Sequence, residues 1–333
     1  MKKFYLFFLF LNAFPCLVQA VGLNDVPEDP KINIIGFSDQ KSWDALWQVN
    51  SEFRALIPQT ITAIKVRGYA EDIINKLTAL FFEGDAQGKK NEILESLDLS
   101  APVGSRLGLS ASRQSKLGDD GLGTVVDFIQ KHFPNIKSLN LLNNNIGPSG
   151  AAHLARLNQL ETLDLNNNQI GPAGASHLAG LDKLQVLNLL SNEIGDTGAA
   201  HLAGLTQLKI LDLGWNDIGD AGVAHFTGLH KLQVLNLYFN NIKTAGAVQL
   251  ARLCQLKELN LSDNRIGDVG AAEIAKLTQL KELVIRRINI SDAGVVHFFE
   301  LNQLQKLCLN ANNIGSQSID ALRQALPNCV IEF

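Results

Sequence analysis

Leucines recur along most of the chain at a fixed spacing. The segment Leu160, Leu163, Leu165, Asn168, Ile170 has the form L-x-x-L-x-L-x-x-N-x-I, and it returns every 24 residues. Copies begin at Leu184, Leu208, Leu232, Leu256 and Leu304, and an earlier one begins at Ile136 with Leu139, Leu141, Asn144 and Ile146. A register held over so many copies predicts stacked repeat units in place of separate globular lobes.

Each copy divides into parts with their own physics. The L-x-L core alternates with period two, which predicts a short strand with leucines inward. The asparagine follows where the chain turns, and a buried side-chain amide there can satisfy unpaired backbone groups. Ile194-Gly195-Asp196-Thr197-Gly198-Ala199 exemplifies the next stretch, whose glycines permit a tight bend into a helix. That helix should present Ala199, Leu202, Ala203 and Leu205 on one face, close against the sheet. A single unit cannot bury both faces, so neighbours must stack.

The ends are irregular. Ile61-Ile64-Val66 and Leu94-Leu97-Leu99 predict two early strands, Gly104 to Ser115 an exposed loop, and Thr124 to Phe133 a longer helix. Ser318 to Ala325 predicts a closing helix, with Val330-Ile331 adding a last strand. The expected organisation is a leader over 1–20, a helical segment over 21–60, irregular repeats over 61–135, regular repeats over 136–315 and a cap over 316–333. One repeat breaks the rule, because Ile288 stands where asparagine is due and Asn289 comes one place late. Drift is one reading, and an altered bend exposing Arg286 and Arg287 is the other.

Lys2 and Lys3, the apolar run Phe4 to Phe14, the helix-breaking Pro15 and the small residues Val18 and Ala20 have the form of a secretory signal peptide cleaved after Ala20. The run is too short to cross a bilayer, which takes about 20 residues, and no later stretch is apolar enough. The expectation is a secreted or periplasmic protein with no membrane span after cleavage. Loss of the two lysines takes the formal charge from −4 to −6, which gives no electrostatic reason to expect nucleic acid. At 46% hydrophobic and 19% charged residues the chain is not disordered, and four cysteines are too few for a disulfide scaffold.

The repeat pattern resembles the leucine-rich repeat superfamily. The resemblance implies an α/β leucine-rich-repeat solenoid: a right-handed horseshoe with a parallel β-sheet on the concave face and helices on the convex face. The phase Gly150-Ala151, Leu154-Ala155 and Gly198-Ala199, Leu202-Ala203 is similar to the GALA-type repeats of bacterial effectors. Residues 26–57, with Val26-Pro27-Glu28, Ile35, Phe37, Asp39, Lys41-Ser42, Leu46, Val49 and Phe53-Arg54, resemble an F-box. That likeness implies docking to the Skp1 adaptor of a host ubiquitin ligase through Pro27, Ile35, Phe37, Leu46, Val49 and Phe53. The same residues also read as an N-terminal cap in which Leu46, Val49, Phe53 and Ile57 bury one face.

Nothing points to catalysis. His153, His177, His201, His225 and His297 share one outward helical position, and adjacent helices pack about 8–10 Å apart, too far for a shared ion. Cys254 falls in a loop, Cys308 at an outward strand position and Cys329 in the cap. No G-x-S-x-G, phosphate loop or H-E-x-x-H occurs. The chain is read as a non-enzyme without metal or cofactor.

The outward strand positions are the candidate binding surface. Asn140, Asp164, Asn188, Asp212, Asn236 and Asn260 form a polar ladder whose expected role is solvation. Trp215 and Phe239 fall at one place in neighbouring repeats with Tyr238 beside them, and Val186, Ile210, Val234 and Leu190 line further columns. Strands about 4.8 Å apart should gather these into one apolar patch with Asp263, Arg286 and Arg287 as its charged rim. The alternative is that the aromatics pack on each other and shield the sheet. Three functions follow: a secreted bacterial protein-binding module, with a host protein among its candidate partners; an F-box-like adaptor; or a passive periplasmic or surface structural protein.

Overall fold

The computed structural model describes residues 63–65, 95–100 and 116–333. The leader, the F-box-like segment with its six proposed contact residues, and the expected loop over 104–115 lie outside the described residues. The chain divides into two compact units, residues 1–141 and 142–333.

In the first unit, strands β1 (Ala63–Lys65), β2 (Ser96–Asp98) and β3 (Ser138–Asn140) pair in parallel. Helix α1 (Gly118–His132) begins six residues before the expected Thr124. Asp119 and Asp120 in its first turn and Lys131 and His132 in its last complement the helix dipole at both ends. Its core face is Leu122, Val125, Val126 and Ile129, all fully buried.

The second unit repeats strand, turn and helix. Its strands are β4 (Thr162–Asp164), β5 (Val186–Asn188), β6 (Ile210–Asp212), β7 (Val234–Asn236), β8 (Glu258–Asn260), β9 (Glu282–Val284), β10 (Lys306–Cys308) and β11 (Val330–Glu332). Each pairs in parallel with the next, one 24-residue step apart throughout. The central leucine of every strand from Leu163 to Leu307 is buried. The helices are α2 (Pro148–Leu154), α3 (Gly171–Leu178), α4 (Gly195–Leu202), α5 (Asp220–Ala224), α6 (Thr244–Leu250), α7 (Gly267–Ile274), α8 (Asp292–Val295) and α9 (Ser316–Ala325). Short 3₁₀ turns extend α5 and α8. Leu205 is buried as expected, although α4 ends at Leu202 and Leu205 lies in the turn beyond.

The asparagine side chains bolt coil to coil. The Asn216 carbonyl oxygen accepts the N–H groups of Asn192 and Ile194 at 3.0 and 3.1 Å, in the preceding coil. Its amide nitrogen donates to Leu189 O and Gly214 O, both at 2.8 Å. Asn168, Asn192, Asn240, Asn264 and Asn312 make the same kind of bridge. At Ile288 the bridge is missing, yet the strand register on both sides is unbroken. Arg287 (φ 51°) and Asn289 (φ 62°) keep the left-handed turn seen at Phe239 and Asp217, so the altered-bend reading is corrected: Ile288 packs inward, 1% exposed, on an unchanged backbone.

A second device governs entry into each helix. Where the preceding coil supplies an aspartate, its carboxylate accepts the entry residue's N–H. Asp196 takes those of Gly219 (2.6 Å) and Gly222 (3.0 Å), and Asp220 those of Lys243 (2.7 Å) and Gly246 (2.8 Å). Asp268 and Asp292 act likewise on Ser291 and Gly315. Hydrogen bonds from the Ser291 hydroxyl and N–H hold the Asp268 carboxyl below the usual range. These entry residues all have negative φ, which lets lysine and serine stand there. Where the preceding coil offers Pro148, Pro172 or Thr244, the entry residue is Gly171, Gly195 or Gly267 with φ of 58–67°. Its N–H then points to the following coil, as from Gly195 to Asn216 O at 2.8 Å.

Two stability predictions follow from these contacts. Asn216→Ala strands two buried N–H groups and two carbonyls, and should lower unfolding free energy by roughly 3 kcal/mol or more in denaturant titration. Gly195→Ser should cost about 1–2 kcal/mol for its left-handed backbone, whereas Gly219→Ser, entered through Asp196, should fall within about 0.5 kcal/mol of the parent.

Candidate functional site

The polar ladder on the strand face does more than solvate it. Each side chain accepts the N–H two residues on, closing a turn at the strand exit: Asp164 from Asn166, Asn188 from Leu190, Asp212 from Gly214, Asn236 from Tyr238 and Asn260 from Ser262, at 2.9–3.0 Å. A structural role is therefore added to the solvation expected from sequence. Asn236 also donates to the second oxygen of Asp212 at 3.0 Å. Burial pushes the Asp212 carboxyl above its ordinary range, against the pull of the Gly214 N–H and the Asn236 amide.

Beyond that turn, one column of residues adopts left-handed backbone: Asn143, Asn167, Ser191, Trp215, Phe239, Asp263, Arg287 and Ala311, with φ of 51–61°. The backbone is held there by the next coil, as Trp215 N–H donates to Tyr238 O at 2.8 Å and Phe239 N–H to Ser262 O at 2.9 Å. This conformation favours asparagine, aspartate and glycine and disfavours bulky side chains. Trp215 and Phe239 thus occupy it against the local backbone preference.

Their rings stack at 3.7 Å between centroids and 9° between planes. Tyr238 meets Trp215 edge-on at 6.2 Å and tilts against Phe239 at 6.0 Å. Despite the stacking, Trp215 stays 47% and Phe239 45% exposed. The aromatics pack on each other and face solvent together, so the two readings of this cluster are not exclusive.

The other predicted residues divide into separate places. Val186, Ile210 and Val234 are register partners at the start of their strands, and Ile210 is 40% exposed. The polar ladder runs between this strip and the aromatics, so the single apolar patch expected from sequence becomes two strips. Leu190 reaches over Gly214, where a Cβ would lie 2.6 Å from its Cδ1. Asp263 and Arg287 continue the aromatic column and meet at 3.4 Å. Arg286 instead turns towards Glu332, at 2.7 Å, at the far end of the unit. Cys308, expected to face outward, is fully buried, and its thiol donates to Glu332 at 3.2 Å. Burial raises that thiol's pKa, which disfavours its thiolate form.

Glu193 and Asp217 are exposed on their turns, two residues after the left-handed column. His177, His201, His225 and His297 are exposed on the helices and His153 is half-buried. Among the described residues no group of three His, Cys, Asp or Glu side chains is placed to hold a metal, and Cys254, Cys308 and Cys329 are free thiols.

Leucine rich repeat family models match residues 133–155, 157–179, 182–203 and 204–225, and a second such model matches residues 216–266. No curated protein sequence matches the chain. Among solved structures it is similar to internalin C2 of Listeria monocytogenes, with 28% identity and a TM-score of 0.51, over 63% of this chain and 82% of that one. It is also similar to the internalin InlF of the same organism, with 19% identity and a TM-score of 0.48, over 83% of this chain and 87% of that one. With its 24-residue coils, parallel strands and buried amide bridges, the chain is a leucine-rich-repeat protein, an α/β solenoid.

Proposed function

We propose that this chain is an exported protein-binding module that holds a protein partner on its strand face, centred on Trp215 and Phe239. The observation that carries the reading is the stacked aromatic pair, half-exposed at a left-handed backbone position. Folding alone favours a small polar residue there, so the aromatics are accounted for by what they contact outside the chain. Exposed tryptophan and its aromatic neighbours are typical anchors of protein interfaces. Asp263 and Arg287 border the pair on one side, and the strip of Val186, Ile210 and Val234 offers a second apolar contact line. Export rests on the leader pattern over residues 1–20. Among the described residues no helix is long and apolar enough to cross a membrane.

The test is affinity capture with the full chain, followed by calorimetry on the retained protein. Trp215→Ala/Phe239→Ala should weaken binding by about 30-fold or more. Ala311 already occupies the same turn position, so the scaffold accepts alanine there. Val269→Ala, at an exposed position on α7, should leave affinity unchanged. Equal affinity of the aromatic double variant and the parent would remove the reading.

A further inference from the structure

Asp212 closes β6 on the strand face, between the two apolar strips. The exposed Ile210 lies two residues before it on that face, and Gly214 two residues after. Its register partners on β5 and β7 are Asn188 and Asn236. One carboxylate oxygen accepts the Gly214 N–H and the other the Asn236 amide, each at 3.0 Å. A Cβ built at Gly214 would lie 2.6 Å from Leu190 Cδ1 and 3.5 Å from Asp212 Oδ1, so the leucine methyl and the carboxylate share that corner. Asp212 is half-buried, and burial disfavours its charge.

The protein itself supplies no counter-charge. Among the described residues, no ion pair includes Asp212. The charged residues of β4 to β8 are Asp164, Asp212 and Glu258, all acidic. Just before the strands, Lys183, Lys209, Lys231 and Lys257 donate to Gln159, Gln185, Gln207 and Gln233 of the preceding coils. Glu193, Asp217, Lys243 and Arg265 come later in their coils than the left-handed column, and Arg287 pairs with Asp263. Turn closure does not require the charge either, because Asn188, Asn236 and Asn260 close the same turn with a neutral side chain.

A protein that covers both Ile210 and Trp215 also covers Asp212 between them. Stripping the remaining water from an unpaired carboxylate is strongly unfavourable. A cation from the partner removes that penalty. Each Asp212 oxygen has filled one of its two acceptor sites, which leaves room for a donor from outside.

We propose that the partner seats a lysine or arginine side chain on Asp212, between apolar contacts to Ile210 and Val234 and aromatic contacts to Trp215 and Phe239. This rests on the binding role assigned to the aromatic pair and names the charge its partner carries at the centre of the face.

The test selects nonapeptides from a randomised phage-displayed library against the full chain. Those that bind the parent and lose binding to Trp215→Ala/Phe239→Ala are synthesised and measured by calorimetry. They should carry a lysine or arginine. Asp212→Asn, a side chain the same turn accepts in three other coils, should weaken them at least about tenfold. Replacing the peptide's lysine by norleucine, or its arginine by citrulline, should weaken binding to the parent similarly. The same replacement should leave binding to Asp212→Asn nearly unchanged, because the paired charge is already gone. Peptides without a basic residue, equal affinity for parent and Asp212→Asn, or additive losses would each overturn the proposal, while their dependence on the aromatics keeps the binding role. A library that yields no aromatic-dependent peptide also overturns it, and capture of a protein that needs Trp215 and Phe239 would then leave the binding role standing alone.

Discussion

The buried asparagine amide is the contact on which the rest of the second unit depends. A coil of short strand, turn and short helix leaves many backbone groups unpaired at its turn, and the close packing of successive coils denies them water. One side-chain amide resolves this by accepting from the coil before and donating to carbonyls of both coils. Because each bridge spans two coils, no coil closes its turn independently, and stability passes from neighbour to neighbour. The same turns hold the left-handed column in place, so the bridges that stabilise the stack also fix where Trp215 and Phe239 stand.

Much of this was legible in the leucines and asparagines. Period-two leucines on a 24-residue recurrence placed the strands from β3 to β10, and Val330-Ile331 alone pointed to the closing strand at Val330–Glu332. What escaped depends on the adjacent coil and not on local pattern. Whether a helix entry takes glycine with positive φ or an ordinary backbone is decided by Asp196, Asp220, Asp268 or Asp292 one coil earlier. Leu190 lies across Gly214 because that neighbour has no side chain. Cys308 shares the outward register of the polar ladder, but Glu332 and the surrounding strands cover it.

The aromatic pair shows how scaffold and function separate. Along the left-handed column, Asn167, Ser191 and Asp263 obey the backbone, whereas Trp215 and Phe239 defy it. A residue type opposed to its local conformation is the kind of conflict that marks a functional position in an otherwise consistent fold. The position itself was readable from sequence as an unusual tryptophan among polar counterparts. Its left-handed backbone and the face-to-face stacking required the structure.

Amide hydrogen exchange, resolved residue by residue, examines the coil-bridging role most directly. The isoleucine N–H two residues after each asparagine donates to the asparagine oxygen of the next coil at Ile194, Ile218 and Ile242. Ile266 finds no such oxygen, because Ile288 stands where the next amide would be. Its N–H should exchange markedly faster than the other three, although all four isoleucines are equally buried. Equal protection at all four would mean that burial alone slows exchange and that the amides do not bind the coils together.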